Sequence, residues 1–248
     1  MLQGITSGIG AYSEALTLVR KLRLWKYFLL PGLVSLLIAL GILSLAWFTS
    51  DDIGGLISRL YPWDWGRSVV DKIADVFGGL LVLALGVILY KNIVIALVGP
   101  LLSPISERIE AHLAGSIPVR SGSMALVRST GRGIRLASRN IARELFFTVI
   151  LLLLGLFPLF SPFTAVLIFV VQSYYAGFGN TDYLLERHFQ ARDSIRWVRQ
   201  NRGLAIGNGL IFMLLLLTGV GFLIAPPLGA AAATVAGVKR LQNLQVKS

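Results

Sequence analysis

The sequence of 248 residues contains no cysteine and only two histidines, His112 and His188. The lack of cysteine excludes disulfides, thiolate metal ligands and a cysteine nucleophile. Each histidine stands alone among charged neighbours, which is typical of a solvated histidine on a helix surface. Phosphate-cradling loops, histidine pairs at metal spacing and nucleophile elbows are also missing. The sequence therefore offers no residues for an enzyme, a metal site or a cofactor site.

Charged residues are scarce as well, at 14% of the chain, while hydrophobic residues make up 55% and the mean hydropathy is +0.75. A soluble domain carries about 25% charged residues, so this chain is better suited to a bilayer than to water. The net charge of +11 would suggest nucleic acid in a soluble protein, but not in a membrane protein. We therefore predict an all-α integral membrane protein without a nucleic-acid partner. Residues 1–26 lack the features of a cleavable signal peptide.

The first 49 residues predict two helices of different kinds. In 1–26, apolar side chains recur at spacings of three and four, which indicates an amphipathic helix. It is too polar to span, so we expect it at the inner membrane surface, with packing on another part of the protein as the alternative. Residues 27–49 carry no charge, with Trp25 next to one end and Trp47 near the other. The distance between these tryptophans along a helix, about 33 Å, fits the hydrocarbon core of roughly 30 Å, which predicts a transmembrane helix.

A polar segment and a second apolar run follow. Residues 50–75 hold five of the twelve acidic residues, and we predict a periplasmic loop there. The apolar run 76–102 continues without a break to 114, which predicts a long second transmembrane helix that leaves the membrane. Lys91 interrupts this run, and an ionisable residue at such a position is a candidate for an anion pathway. The alternative is that its flexible side chain reaches the membrane surface.

Basic residues dominate the segments 103–144 and 176–203. Five arginines of the first segment share one helical face: Arg128, Arg132, Arg135, Arg139 and Arg143. If 1–26, both basic segments and the C-terminal tail are cytoplasmic, nineteen of the 23 basic residues are inside, which the positive-inside bias predicts. The arginine face would then attract anions to the inner mouth of a path. The alternative is an ordinary positive-inside signal with contacts to anionic lipid headgroups.

Prolines and glycines interrupt two further apolar regions, 145–175 and 204–238. Both flanks of the first region are cytoplasmic, so the chain must enter the membrane and return on the same side. Its legs before Pro158 and after Pro162 have 13 residues or fewer, which reach only about 20 Å as helices. Legs of this length favour re-entrant segments. We predict two hemi-penetrating helical hairpins, with the alanine-rich leg of the second one buried; four short or tilted full spans are the alternative.

The order of these segments, with the motifs "YFLLPGLVSLL" and "SPISERIEAHLAG", resembles the CysZ-type sulfate permeases and their relatives in the etoposide-induced protein family. The resemblance covers nearly the whole chain, 1–248, as one domain. It implies a bacterial inner-membrane protein with two long transmembrane helices, two hemi-penetrating hairpins, amphipathic cytoplasmic helices and cytoplasmic termini. It also implies a homodimer or larger homo-oligomer in membrane lipid, with uptake of sulfate for cysteine synthesis as its activity.

One short motif departs from this resemblance. The permeases carry a glycine and then adjacent arginines shortly before the proline of the first motif, and this stretch holds sulfate. Arg23 stands at the glycine here, and Trp25 and Lys26 align with the arginines. Lys26 offers a point charge where an arginine pair would bind an oxyanion through paired hydrogen bonds.

We take Arg23 and Lys26 as candidate anion-binding residues, and sulfate or a related oxyanion as the predicted substrate. The departure at this motif keeps a second class open, a non-transporting membrane scaffold that binds a partner through its cytoplasmic helices. A membrane enzyme is the third class, and no residue pattern supports it.

Overall fold

The computed structural model describes residues 1–59, 67–115, 123–155, 157 and 159–245. These residues form helices and turns, and no strand occurs among them, which confirms the predicted all-α fold. The helices in chain order are α1 (Leu2–Lys21), α2 (Lys26–Arg59), α3 (Arg67–Ala114), α4 (Ser123–Gly155), α5 (Ser161–His188), α6 (Ala191–Gln200), α7 (Arg202–Leu216) and α8 (Gly221–Gln245). Three helical stretches of the described residues are long and apolar enough to cross a membrane: Lys26–Leu45, Ser161–His188 and Gly221–Asn243.

Helices α2 and α3 extend into the segment 50–75, for which the sequence predicts a loop. Helix α2 continues to Arg59 and α3 begins at Arg67. Both ends of the polar segment are therefore helical, and 60–66 lies outside the described residues. Polar composition alone does not end a helix, because extending an existing helix by one residue costs far less free energy than starting a new one.

Helix α1 packs its small residues against α7 and α8. Gly8 and Ala11 are buried, whereas the larger Ile9 is 37% exposed. A Cβ atom at Gly8 would lie 2.5 Å from the carbonyl oxygen of Leu204 on α7. Such backbone contact requires small residues. Tyr12 and Val19 of the predicted apolar stripe are buried as well. Helix α1 thus packs on α7 and α8, and its position at the inner membrane surface stays a prediction.

The first proline-bearing region folds as an antiparallel helical hairpin. Helix α4 ends at Gly155 and α5 begins at Ser161 with Pro162 in its first turn, while Pro158 lies outside the described residues. The longer partner, α5, has 28 residues and a length of about 42 Å. The helix is therefore much longer than the apolar leg recognised in the sequence, and the depth that the hairpin reaches in the membrane stays a prediction.

The second hairpin turns near Gly219, whose φ of 72° lies in the left-handed region that glycine tolerates best. Pro226 and Pro227 are inside helix α8, not in the turn where the sequence suggested a Gly/Pro break. A proline has no N–H for the carbonyl four residues earlier, and Pro226 thereby frees the carbonyl of Phe222. The Tyr90 hydroxyl on α3 donates to that oxygen at 3.3 Å, which ties α3 to α8.

The bundle buries small residues between its helices and exposes large apolar side chains on its outer surface, as expected for a helix bundle in lipid. Ala230, Ala231, Ala232 and Ala233 of α8 are fully buried, as the small-residue pattern predicts. The outer face of α2 carries leucines at spacings of three and four that are 48–76% exposed: Leu29, Leu33, Leu37 and Leu40. A helix that is apolar on its exposed face as well as on its buried face is suited to a membrane.

Candidate functional site

Lys91 lies on α3 in the interior of the bundle and is 1% exposed. Its Nζ donates to the carboxylate of Glu144 on α4 and, at 3.1 Å, to the carbonyl oxygen of Gln172 on α5. The ammonium is therefore paired inside the bundle and does not extend into solvent, while its depth in the membrane stays a prediction. An unpaired charge would be very costly at this depth, so the pair with Glu144 explains why Lys91 is tolerated there.

Glu144 belongs to a buried polar row on α4. Asn140, Glu144 and Thr148 follow each other at a spacing of four, which stacks them on one helix face. They are 6%, 0% and 1% exposed. The Thr148 hydroxyl has no hydrogen-bond partner among the described residues. The spacing of four between these polar residues is visible in the sequence, but the more prominent arginines beside them obscure the row.

The predicted arginine face of α4 does not act as a unit. The Nη1 and Nη2 atoms of Arg132 lie 3.0 and 2.9 Å from the two carboxylate oxygens of Asp182 on α5. Arg132 is therefore engaged in a forked ion pair between two helices and is not available to guide an anion. Arg135 is exposed, and the side chain of Arg128 lies outside the described residues.

The remaining two arginines of that face belong to a group that we name the arginine cluster. Its members come from α4, α6 and α7: Arg139, Arg143, Arg199 and Arg202. All four act electrostatically on the Tyr174 hydroxyl of α5. Among the described residues, none of them has a carboxylate partner. Burial, and then the charges of Arg143 and Arg199, lower the pKa of Arg139, whose guanidinium carbon lies 6.0 Å from the centre of the Phe178 ring.

A second buried ion cluster joins the end of α3 to α5. The Nε of Arg187 lies 2.7 Å from a carboxylate oxygen of Glu110, and its Nη2 lies 2.6 Å from the Ser106 hydroxyl. The His188 ring also contacts the Glu110 carboxylate. Burial by itself raises the pKa of Glu110, but the hydrogen bond with His188 and the charge of Arg187 outweigh it and lower the pKa. His188 is therefore exposed, as the sequence indicates, but it is not solitary, because its ring contacts Glu110.

Arg23 and Lys26 lie near the turn between α1 and α2, and both are exposed. Arg23 has φ 51°, a left-handed conformation that favours glycine, and it is the position that aligns with the glycine of the permease motif. The Nζ of Lys26 is 5.4 Å from the centre of the Tyr27 ring, and the guanidinium carbon of Arg108 on α3 is 4.8 Å from it. No pattern in the sequence connects Arg108 with Lys26, because the two residues lie on different helices.

The structure does not bring Arg23 and Lys26 to the buried lysine. Among the described residues, no hydrogen bond or ion pair joins either of them to Lys91. The cations thus form separate groups: the buried Lys91, the pair of Lys26 and Arg108 around Tyr27, and the arginine cluster.

Comparison with known proteins identifies a family. Residues 11–227 match the family described as sulfate transporter CysZ/etoposide-induced protein 2.4. The match covers most of the chain and includes Lys26, Lys91, Arg108 and the arginine cluster. No curated protein matches the chain.

Proposed function

Because the chain belongs to the sulfate transporter CysZ/etoposide-induced protein 2.4 family, we propose that it mediates the uptake of sulfate or a related anion across the bacterial inner membrane. The description of the family as a transporter agrees with the expectation that the protein is not an enzyme. The family name does not assign a substrate to this chain or name the residues that bind it. Both are part of the proposal.

The burial of Lys91 is the observation that carries this proposal. A cation held among apolar helices offers an anion a counter-charge where water is scarce and electrostatic attraction is strong. Glu144 compensates Lys91 when no anion is present, and a doubly charged oxyanion competes with it for the ammonium. Thr148, whose hydroxyl has no partner among the described residues, lies one turn from Glu144 and supplies an O–H donor for an oxyanion oxygen.

Cations on the cytoplasmic side complete the proposed path. Lys26 and Arg108 flank Tyr27, and we assign them, with Arg23, to the inner mouth. Arg108 supplies the planar guanidinium fork that the motif around Lys26 lacks. The positive charge at this mouth lowers the energy of an anion that arrives from the membrane interior.

The proposed arrangement in the membrane follows from charge and resemblance. Both termini lie in the cytoplasm, because most basic residues then face inward. The hairpins α4–α5 and α7–α8 enter the membrane from the cytoplasmic side without crossing it. The protein works as a homodimer or larger homo-oligomer in membrane lipid and supplies sulfate for cysteine biosynthesis.

Sulfate uptake into liposomes that contain the purified protein tests the proposal. We expect saturable uptake above that of empty liposomes, and lower uptake for Lys26→Ala and for Arg108→Ala. Arg20→Ala is the matched control, because Arg20 is an exposed cation near the end of α1, and it should keep the uptake of the unmodified protein. Uptake no faster than in empty liposomes contradicts a transport function.

A second candidate function is supported by the altered motif at Arg23 and Lys26. A member of the family without the glycine and the arginine pair can keep the fold and lose the anion, and serve as a membrane scaffold that binds a partner. If the protein is such a scaffold, the folded, unmodified protein gives no sulfate flux. The variants Lys26→Ala and Arg108→Ala then give the same result as the unmodified protein. Arg135, which is exposed, and the arginine cluster are then the surface for a partner.

A further inference from the structure

The arginine cluster lies where α4 passes from polar to apolar surroundings. Arg143 is exposed, and the exposed side chains that follow it on α4 are apolar: Phe146, Phe147, Val149 and Ile150. Exposed aromatic and aliphatic side chains at the end of a basic segment mark the interface between headgroups and hydrocarbon. Arg143 therefore lies at the level of the lipid headgroups, together with the exposed Arg199 and Arg202, which act on the same tyrosine, Tyr174.

Three carboxylates on α4, α5 and α6 are engaged with cations outside the cluster. Glu144 pairs with Lys91, Asp182 pairs with Arg132, and Asp193 lies 3.6 Å from Arg196. Four guanidinium groups therefore share one region without a carboxylate partner among the described residues, and their repulsion raises the energy of the empty cluster. Burial is the largest cause of the lowered pKa of Arg139, and the charges of Arg143 and Arg199 lower this pKa further. A bound anion would remove the repulsion.

The donors of the cluster are suited to one chemical group. Guanidinium forks bind phosphate oxygens through paired, charge-assisted hydrogen bonds. The charges of Arg139 and Arg143 act on the hydroxyls of Tyr174 and Tyr175, and a tyrosine O–H is a donor that suits a phosphate oxygen. We infer that the arginine cluster is a binding site for a phosphate group, carried by an anionic phospholipid in the cytoplasmic leaflet.

The position of the cluster favours lipid over the free ion as the source of the phosphate. Anionic lipids are concentrated at the cytoplasmic surface and attract basic segments there. Inorganic phosphate offers the same oxygens, so an experiment must separate the two sources. The inference does not depend on the proposed transport of sulfate, because phosphate binding is measured without any movement of ions.

The test compares two variants of the full-length protein that lose equal charge from the same two helices. Arg143→Gln/Arg199→Gln removes exposed members of the cluster on α4 and α6. Arg135→Gln/Arg192→Gln removes exposed arginines outside the cluster on the same helices. Each protein is placed in nanodiscs of phosphatidylcholine with a minor fraction of phosphatidylglycerol, and native mass spectrometry counts the lipids that stay bound after release into detergent.

We expect binding of phosphatidylglycerol to be weaker by about tenfold or more in the cluster variant, because two charge-assisted hydrogen-bond donors are lost. The control variant should bind it as the unmodified protein does. An equal decrease in both variants would mean general surface charge and would overturn the inference.

A second arm separates the sources of phosphate. Inorganic phosphate is titrated against the three proteins in micelles without anionic lipid, and thermal stabilisation is the readout. In one outcome, inorganic phosphate stabilises the protein only when Arg143 and Arg199 are present, and phosphatidylglycerol does not bind selectively. The cluster is then a phosphate site whose ligand is the free ion and not a lipid. If neither phosphatidylglycerol nor inorganic phosphate distinguishes the cluster variant from the control, the inference is wrong.

Discussion

The ammonium of Lys91 and the carboxylate of Glu144 meet in the interior of the bundle, although 53 positions separate them in the sequence. Neither side chain is more than 2% exposed. Removing one partner of a buried ion pair leaves the other charge uncompensated in a medium that solvates it poorly. Each residue of this pair is therefore tolerated only in the presence of the other.

This dependence predicts the stability of three variants. Lys91→Met should lower the free energy of unfolding by about 3–5 kcal/mol, because Glu144 loses its partner. Lys91→Met/Glu144→Gln removes both charges and should recover most of that loss. Denaturant titration in detergent micelles measures both values, with Glu144→Gln as the third variant. A double variant no more stable than Lys91→Met would contradict the coupling of the two residues.

Close contact between α5 and α7 predicts the effect of a single methyl group. A Cβ atom at Gly209 would lie 1.7 Å from the carbonyl oxygen of Ser173, so Gly209→Ala must push the two helices apart. We expect a loss of about 3 kcal/mol or more, at the upper end for an overpacked interior, measured as the change in unfolding free energy.

Gly10→Ala on α1 is the matched control for this substitution. Apart from its chain neighbours and the backbone of its own helix, nothing lies within 4 Å of the added Cβ, and alanine favours helix over glycine by about 1 kcal/mol. This variant should therefore be as stable as the unmodified protein or slightly more stable. If the two alanine variants had the same stability, the contact between α5 and α7 would not be as close as described.

The backbone at Arg23 predicts a stabilising substitution. Arg23 has φ 51°, and a side chain in this left-handed conformation costs about 1–2 kcal/mol relative to glycine. Arg23→Gly should therefore raise the melting temperature in detergent. Arg20→Gly, in the last turn of α1, should lower it, because glycine weakens a helix. A fall in both variants would show that the turn does not need glycine-like geometry.

The ion cluster around Glu110 predicts a dependence of stability on pH. Arg187 and His188 lower the pKa of Glu110 in the folded protein, so the folded state favours the ionised carboxyl more than the unfolded state does. This contribution is complete above the unfolded pKa of about 4.3 and is lost as the pH falls through the lower, folded pKa.

The measurement is the difference in melting temperature between the unmodified protein and Glu110→Gln. It should be large at about pH 7 and shrink toward about pH 3. Glu107→Gln, at an exposed position of the same helix, should give a small difference at both values. A difference for Glu110→Gln that is independent of pH would mean that ionisation of Glu110 does not stabilise the fold.

Local properties of the sequence predicted a good part of the fold. Composition and hydropathy predict the all-α membrane fold, and the small residues of the last hairpin predict the buried alanines of α8. Lys91 stands out as the one basic residue in an apolar run. These features depend on residues that are neighbours in the chain or on the same helix, so a pattern in the sequence is sufficient to find them.

Contacts between helices could not be predicted in this way. The packing of separate helices brings Glu144 to Lys91 and brings Arg108 to the same tyrosine ring as Lys26. The arginine face of α4 is divided because α5 presents Asp182 to one of its members only. Helix α1 buries Gly8 and exposes Ile9, because the backbone of α7 at Leu204 lies against Gly8, where there is no side chain to keep the two helices apart.

The account rests on the role of Lys91 in moving an anion, and sulfate uptake by liposomes containing Lys91→Met/Glu144→Gln tests it most directly. This variant removes the buried cation and leaves no unpaired charge, so folding and function are measured separately. We predict saturable uptake by the unmodified protein, and uptake close to that of empty liposomes by the folded double variant. Equal uptake by the two proteins would contradict a role for Lys91, and no uptake by the unmodified protein would contradict sulfate transport itself.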